Sequence, residues 1–194
     1  MISKKFFIQT FGCQMNVYDS SRVAGILAGL GYHAVEDPKE ADLILVNTCS
    51  VREKPETKVY SALGRFQPLK KRNPALLIGV LGCVAQQEGD RLFSRVPFLD
   101  FVVGTKEMGK IPEILESLRT SRKPRSETGM ARIDAYAGLP VLAPVCPSRS
   151  PTAFVSIMQG CDNFCSFCVV PFVRGREMSR PAGDILREIR ALSE

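Results

Sequence analysis

The sequence predicts an α/β fold with a doubly wound parallel sheet. Short, nearly continuous apolar runs of strand length alternate with segments whose apolar residues recur at helical spacing, which is typical of a parallel sheet covered by helices. The composition is that of an ordinary globular protein, with 45% hydrophobic and 24% charged residues among 194. No apolar run approaches the ~18 residues that a membrane-spanning helix needs, so we expect no integral membrane protein.

The first three strands and the first helix are predicted from local patterns. Residues 4–12 are rich in aromatic and β-branched side chains and end at a glycine, which indicates a strand. In residues 19–30 apolar side chains recur at helical spacing up to Gly31, which indicates a helix that ends there. Residues 33–35 are a short second strand. Residues 41–46 form an almost unbroken apolar run, as buried parallel strands do.

The later elements continue the alternation. A charged stretch that ends near Arg72 is expected to be helical, and Asn73-Pro74 terminates it. Further predicted elements are a strand at 75–81, a helix at 88–95, a strand at 101–103 and a helix at 111–119. Because crossovers between parallel strands are right-handed, these five strands favour the flavodoxin-like order 2-1-3-4-5.

Composition divides the chain into three predicted parts. They are an α/β domain at 1–120, a linker at 121–152 and the start of a second domain at 153–194. The linker is basic at its beginning and contains Pro140, Pro144, Pro147 and Pro151. The last part reads as a strand over 153–158, a cysteine-rich loop and a helix over 182–192. Because one such unit cannot close a sheet, we expect the sequence to be a fragment of a larger protein.

Charge and cysteine content indicate the cellular setting. The net charge is +6, which weakly favours a polyanionic partner such as a nucleic acid. The apolar run at the N-terminus is too short for a signal peptide, so we expect a cytoplasmic protein. Seven cysteines are present, and in a reducing cytosol such a number indicates metal or redox chemistry more often than disulfides.

Three cysteines each follow a predicted strand. We call Cys13, Cys49 and Cys83 the first cysteine group. Their strands are neighbours in the predicted order and lie about 4.8 Å apart, so the three thiols are expected to converge at the carboxyl edge of the sheet. Three thiolates without a fourth ligand suit an iron–sulfur cluster with one open iron. Buried free cysteines and a zinc site remain alternatives at this point.

The remaining cysteines, apart from Cys146, lie in one loop. We call Cys161, Cys165 and Cys168 the second cysteine group; their spacing is C-x-x-x-C-x-x-C. This spacing lets one loop supply three ligands to a cubane cluster. A zinc site that recruits Cys146 as its fourth ligand is the alternative, although Cys146 is expected to be a free thiol in the linker.

These motifs resemble those of one known family. A C-x-x-x-C-x-aromatic-C loop after a strand resembles the radical S-adenosylmethionine (SAM) superfamily, and Phe167 stands at its aromatic position. The following segments are similar to those of the methylthiotransferases of that superfamily: Gly12-Cys13-Gln14-Met15-Asn16, Asp19-Ser20, Asn47-Thr48-Cys49, Arg52-Glu53, Gly82-Cys83, Ala85-Gln86, Val170-Pro171, Arg174-Gly175-Arg176-Glu177 and Ser179-Arg180. Gln-Met-Asn after the first cysteine resembles the MiaB-type tRNA subgroup, whereas the ribosomal-protein subgroup typically has Pro-Lys-Asn there.

The resemblance covers essentially the whole chain and implies cofactors. Each cysteine group would hold one 4Fe-4S cluster, and the second cluster would bind SAM, with Phe167 near the SAM adenine. The family is about twice as long: residues 153–194 would be the first unit of a partial (β/α) barrel, which a small RNA-binding β domain follows. We therefore expect the isolated chain to be inactive.

The resemblance also implies a reaction and its partners. Reductive cleavage of SAM yields a radical that removes hydrogen from C2 of an adenine, and the first cluster supplies sulfur. The product is 2-methylthio-N(6)-isopentenyladenosine beside the tRNA anticodon. The implied partners are the tRNA anticodon stem-loop, whose bases can be unstacked, and an electron donor such as flavodoxin. A radical suits this target because an aromatic C–H bond offers no acidity for acid–base catalysis.

Several residues are candidate contacts to substrate or SAM. They are Arg174, Arg176 and Arg180 after the second cysteine group, and Asn16 and Gln86 beside the first. Other basic residues are candidate phosphate contacts, with solvated surface charge as the alternative: Lys70, Lys71, Arg72, Arg119, Arg122, Lys123 and Arg125.

Three other functions remain open from the sequence. The same chemistry acts in the family on threonylcarbamoyladenosine in tRNA or on a ribosomal protein. A protein with two clusters can instead serve electron transfer without catalysis. A zinc-stabilised nucleic-acid-binding module is the last alternative.

Overall fold

The computed structural model describes residues 4–50, 55–130 and 152–193. The strands in these ranges are Lys4–Phe11 (β1), Tyr32–Ala34 (β2), Leu43–Thr48 (β3), Leu77–Gly82 (β4), Phe101–Val103 (β5), Arg125–Glu127 (β6), Met158–Gln159 (β7) and Met178–Ser179 (β8). The helices are Gln14–Gly29 (α1), Pro55–Arg72 (α2), Cys83–Glu88 (α3), Arg91–Arg95 (α4), Ile111–Thr120 (α5), Val170–Arg174 (α6) and Ala182–Ser193 (α7).

The first six strands form one parallel sheet. Its order is β2-β1-β3-β4-β5-β6, which confirms the predicted order for the first five strands. The sixth strand lies within the predicted linker and pairs with β5. Its three residues are Arg-Ser-Glu, and such a short polar segment carries no apolar alternation from which a strand could be predicted.

Helices cover both faces of this sheet. One apolar layer joins the sheet to α2, α3 and α4 through residues such as Leu63, Phe66 and Leu92. The other layer joins it to α1 and α5 through residues such as Leu27 and Leu115. Every residue of β3 is buried, as expected for a central parallel strand between two helical layers. The predicted doubly wound α/β fold is therefore confirmed.

Some boundaries differ from the prediction. The first helix begins at Gln14 rather than at residue 19, directly behind Cys13. The single helix predicted at 88–95 is two short helices, and Gly89 between them has a φ of +50°. The strand predicted at 153–158 is wrong in extent, since only Met158–Gln159 is a strand and it pairs antiparallel with β8. Whether β7 begins a barrel remains a prediction.

No helix among the described residues is both long enough and apolar enough to cross a membrane.

Candidate functional site

The first cysteine group lies where three parallel strands end together. Phe11 of β1 is in register with Thr48 of β3, and Thr48 with Gly82 of β4. Cys13 follows β1 after one glycine, whereas Cys49 and Cys83 follow their strands directly. The register of the sheet therefore places the three cysteines at one edge, although long stretches of chain separate them in sequence.

Two glycines allow the strand ends to approach each other closely. Gly12 has a φ of +147°, and a Cβ atom there would stand 2.5 Å from the Cβ of Cys49. Gly82 has a φ of +92°, and a Cβ atom there would meet the side chain of Asn47 and would stand 2.6 Å from the carbonyl oxygen of Thr48. Any side chain at either position would strain the backbone and push two cysteine-bearing turns apart.

A buried polar network holds these turns. Asn16 and Asn47 are both 0% exposed. The Nδ2 of Asn16 donates to the Oδ1 of Asn47 and to the carbonyl oxygen of Thr48, both at 3.0 Å. The Nδ2 of Asn47 donates to the Asn16 carbonyl oxygen and to the Oγ of Ser20, both at 2.9 Å. The thiol of Cys13 donates to the Oδ1 of Asn16 at 3.2 Å, so the network reaches the first cysteine group directly.

The three cysteines line one cavity of about 270 Å³. The C-terminal segment also lines it, through residues that include Gly160, Val173 and Arg174. Because Cys161 follows Gly160 directly, the second cysteine group begins at the wall of the cavity that the first group lines. The structure thus brings the beginnings of both predicted sites to the same region.

An ion pair joins Arg174, which lines the cavity, to the first helix. The Nη2 of Arg174 in α6 donates to the Oδ2 of Asp19 in α1 at 2.7 Å, and both side chains are buried. The Nη1 of Arg174 is also buried and has no hydrogen-bond partner. Asp19 belongs to the predicted motifs, but its role was not predicted, because a contact across 155 residues leaves no local signal in the sequence.

Burial and this arginine shift the pKa values of neighbouring groups in opposite directions. Burial raises the pKa of the Cys83 thiol, and the nearby positive charge of Arg174 opposes that rise. Burial likewise raises the pKa of Asp19, again against the effect of Arg174. Burial would lower the pKa of Arg174, but the charges of Asp19 and Cys83 raise it, so the guanidinium stays charged.

The second cysteine group occupies a loop whose base is closed by backbone pairing. Strands β7 and β8 pair on either side of it, and the Cys161 N–H donates to the Gly175 carbonyl oxygen at 3.1 Å. The Cys168 N–H donates to the Cys165 carbonyl oxygen at 2.9 Å. Cys165 is exposed and the other two thiols are half-buried. The loop therefore leaves Cys165 accessible and the other two thiols partly accessible.

Aromatic residues of this loop are unusually exposed. Phe167 is 92% exposed. Phe164 has a φ of +46°, a backbone conformation that bulky residues rarely adopt, and it packs edge-on against Phe172. The guanidinium of Arg176 lies 5.0 Å from the centre of the Phe164 ring. Strain and exposed apolar surface in one loop are typical of a region that binds another group.

A second set of contacts attaches the C-terminal segment to the α/β domain. The Nη1 of Arg180 donates to the Tyr18 hydroxyl at 3.0 Å and pairs with Glu188 at 2.5 Å. The Tyr18 hydroxyl donates to the Oε2 of Glu188 at 3.3 Å. On the other side, the Oγ1 of Thr105 donates to the Val173 carbonyl oxygen at 2.5 Å. These contacts fix the wall of the cavity that α6 supplies.

The remaining candidate contacts differ in accessibility. Arg176 is exposed and lies 3.8 Å from Asp162, whereas Arg180 is buried in the ion pair described above. The Nε2 of Gln86 donates to the Thr128 carbonyl oxygen at 2.7 Å, and its Oε1 is buried without a partner. Asn16 uses its amide inside the buried network.

The candidate phosphate contacts also differ in burial and in the partners they already have. Lys70 forms a largely buried ion pair with Asp100 at 2.7 Å. Arg119 pairs with Glu116, and Arg122 donates to the Pro74 carbonyl oxygen. Cys146 and the linker prolines at 140–151 lie outside the described residues, as does Arg52-Glu53.

No group of three or more His, Cys, Asp or Glu side chains in the described parts of the chain is arranged to hold a metal ion. The donor chemistry of the first cysteine group nevertheless fits an iron–sulfur cluster. Three thiols line one cavity there, and the same lining includes a buried cation, Arg174. A cluster spreads its thiolates over separate irons, whereas a single ion gathers them about one atom.

Comparison with known families identifies the α/β domain. The profile of the family described as "Uncharacterized protein family UPF0004" matches residues 5–104. The chain belongs to this family. The match covers the strands and turns that carry all three members of the first cysteine group.

Curated relatives are similar over nearly the whole chain. A Geobacter metallireducens protein is 53% identical over 188 residues, which cover 97% of this chain and 42% of the relative. Proteins of Syntrophotalea carbinolica and Vibrio cholerae are 47% and 46% identical and cover 98% and 100% of the chain. All three are named tRNA-2-methylthio-N(6)-dimethylallyladenosine synthase. These matches confirm the resemblance to tRNA methylthiotransferases. The chain spans 40% to 43% of the length of these relatives.

Proposed function

We propose that this chain carries the two cofactor sites of a radical SAM methylthiotransferase that modifies tRNA. The substrate proposed is N(6)-isopentenyladenosine beside the anticodon, which receives a methylthio group at C2. The names of the relatives support the acceptor. The observation that carries the proposal is the shared cavity, which all three members of the first cysteine group line together with the residue that precedes Cys161.

The two cysteine groups have different proposed roles. The first group would hold a 4Fe-4S cluster as the sulfur donor, and the second group would hold a 4Fe-4S cluster that binds SAM. When bound, these cofactors supply the electron, the radical and the sulfur that substitution of an unactivated C–H bond requires. Cys49 and Cys83 of the first group are buried, which suits a reactive sulfur that water must not reach. Cys165 of the second group is exposed and its two partners are half-buried, which suits a site that admits SAM.

Residues of the chain around these sites have their own proposed tasks. Phe167, 92% exposed, offers a ring against which the SAM adenine can pack. Arg176 is exposed and charged, so it is our candidate for contact with an anionic part of SAM or of tRNA. Gln86 has a buried carbonyl oxygen without a partner and is a candidate to accept a hydrogen bond from substrate.

The proposed partners follow from this reaction. The net charge of +6 favours a polyanion such as tRNA. The partner proposed is the tRNA anticodon stem-loop, whose target base must leave its stack to reach a cluster. The radical step needs an electron donor, for which a flavodoxin or a similar reductant is proposed. A cytoplasmic location is proposed, because the proposed substrate is a tRNA.

The test is an anaerobic assay of the protein at the full length of its curated relatives. We expect 2-methylthio product, detected by mass spectrometry, from tRNA that already carries the isopentenyl group. Cys165→Ala should abolish both SAM cleavage and product. Cys49→Ala should abolish product but leave SAM cleavage measurable, because only the sulfur donor is lost. Modification of threonylcarbamoyladenosine tRNA or of a ribosomal protein instead would contradict the proposed acceptor.

A further inference from the structure

Arg174 is a charged side chain that is both buried and incompletely hydrogen-bonded. Its side chain is only 6% exposed, and one of its two terminal nitrogens, Nη1, has no hydrogen-bond partner. A buried charged N–H without an acceptor is unfavourable, so such groups are rare unless something else satisfies them. The other terminal nitrogen, Nη2, donates to the Oδ2 of Asp19 at 2.7 Å. The ion pair with Asp19 therefore anchors the guanidinium at the cavity that Arg174 lines.

The position of Arg174 indicates which groups its positive charge can act on. Arg174 is the only charged side chain among the described residues that line the cavity of the first cysteine group. The other lining residues are the three cysteines and uncharged side chains. Every anionic group that forms in this cavity, whether a thiolate or a ligand that the thiolates hold, therefore has one nearby cation.

The field that Arg174 produces at the cysteines is positive despite its ion pair. Arg174 lines the cavity of the three cysteines, whereas Asp19 does not. Asp19 binds the guanidinium through Nη2, so the positive member of the pair is the one that borders the thiols. In a buried site with a low dielectric, such a charge acts much more strongly than it would in water.

We propose that Arg174 is a positioning residue for the cluster of the first cysteine group, a fixed cation that raises the reduction potential of that cluster. This inference rests on the proposed function, which places a 4Fe-4S cluster on these cysteines. Three thiolates bring three negative charges into a buried cavity, and reduction adds one more. A cation beside them stabilises the reduced state more than the oxidised state. Asp19 acts through Arg174 by holding it in place.

The test measures the midpoint potential of the first cluster alone. The protein carries Cys161→Ala, Cys165→Ala and Cys168→Ala, is reconstituted anaerobically, and is poised at graded potentials while the reduced cluster is followed by electron paramagnetic resonance. In this background we expect Arg174→Gln to make reduction at least tenfold less favourable, which for one electron is about 59 mV. Arg174→Lys should lower the midpoint potential less than Arg174→Gln does, because lysine keeps the positive charge but lacks the planar guanidinium. The matched control is Arg187→Gln, which removes an exposed arginine of α7 that does not line the cavity and should not shift the potential.

A second variant separates the proposal from a merely structural role. Asp19→Asn removes the opposing negative charge, so it should raise the potential, although it weakens the anchor. A structural role would instead lower the unfolding temperature in both variants and leave both potentials unchanged. Unchanged potentials with full iron and sulfide content would overturn the proposal. If Arg174→Gln does not fold, the signs of the shifts in Arg174→Lys and Asp19→Asn decide. If the unaltered first group binds no cluster, the proposed function itself fails.

Discussion

The two cysteine groups are assembled in opposite ways. The first draws its members from the ends of three strands, and a sheet register, two glycines and a buried asparagine network hold them. The second is contained in residues 161–168 and is held mainly by backbone pairing at the base of its loop. Each group has an asparagine near a sulfur: Asn16 is buried and fully bonded, whereas Asn163 is exposed, 3.5 Å from Cys161.

This contrast shows what determines the positions of the thiols in each site. In the first group the folded sheet itself determines where the thiols lie, so its geometry should depend on core stability. In the second group the loop supplies the ligands, and what binds there can adjust their positions. We therefore expect substitutions near the first group to change the free energy of unfolding, and substitutions near the second to change ligand binding alone.

The largest effect on stability is expected at Gly82. Gly82→Ala would place a Cβ atom against Asn47 and the backbone of Thr48, on a backbone with a φ of +92°. We expect the free energy of unfolding of the iron-free protein to fall by about 3 kcal/mol, measured by urea denaturation. The matched control is Gly29→Ala at the end of α1, where a Cβ atom meets nothing within 4 Å. That change should stabilise the protein by about 0.5 kcal/mol. Equal effects would show that the turn before Cys83 is not constrained.

The next effect compares the two asparagines. Asn16→Ala removes two donated hydrogen bonds and leaves the Oδ1 of Asn47 without that donor, so we expect a loss of about 2 kcal/mol in urea denaturation. Asn163→Ala in the second loop is the control and should change stability by less than about 0.5 kcal/mol. A larger loss at Asn163 would mean that the second loop is as preorganised as the first group.

A smaller effect is expected where the two regions meet. Tyr18→Phe removes the hydroxyl that bonds with both Arg180 and Glu188, and we expect a loss of about 1 kcal/mol together with faster proteolysis of the C-terminal segment. Tyr60→Phe removes a hydroxyl that accepts an exposed hydrogen bond from Arg95 and should have less effect on both readouts. Unchanged proteolysis in Tyr18→Phe would show that this hydroxyl does not hold the segment.

The smallest effect on stability is expected at Phe167. Its ring is 92% exposed, so Phe167→Ala should change the free energy of unfolding by less than about 0.5 kcal/mol. SAM binding to the reconstituted full-length protein, measured by calorimetry, should nevertheless weaken. Phe172→Ala, which removes an exposed ring that packs on Phe164, is the control for general loop damage. Equal weakening in both variants would contradict a specific adenine contact.

The features that could be predicted depend on local sequence patterns, whereas those that were missed depend on contacts between residues far apart in the chain. The order of the first five strands followed from apolar periodicity and crossover handedness, and it was enough to predict that Cys13, Cys49 and Cys83 would lie at one edge of the sheet. The strand Arg125–Glu127 could not be predicted, because its pairing with β5 depends on backbone bonds rather than on its polar side chains. The Asp19–Arg174 pair was also missed, since the two residues meet only after both regions have folded.

The central claim is that the first cysteine group binds its own cluster, and counting metal tests it most directly. In protein with Cys161→Ala, Cys165→Ala and Cys168→Ala, anaerobic reconstitution should leave about four irons and four sulfides per chain. Adding Cys49→Ala should remove nearly all of them. Iron and sulfide that are absent before Cys49→Ala, or that remain unchanged after it, would contradict the claim.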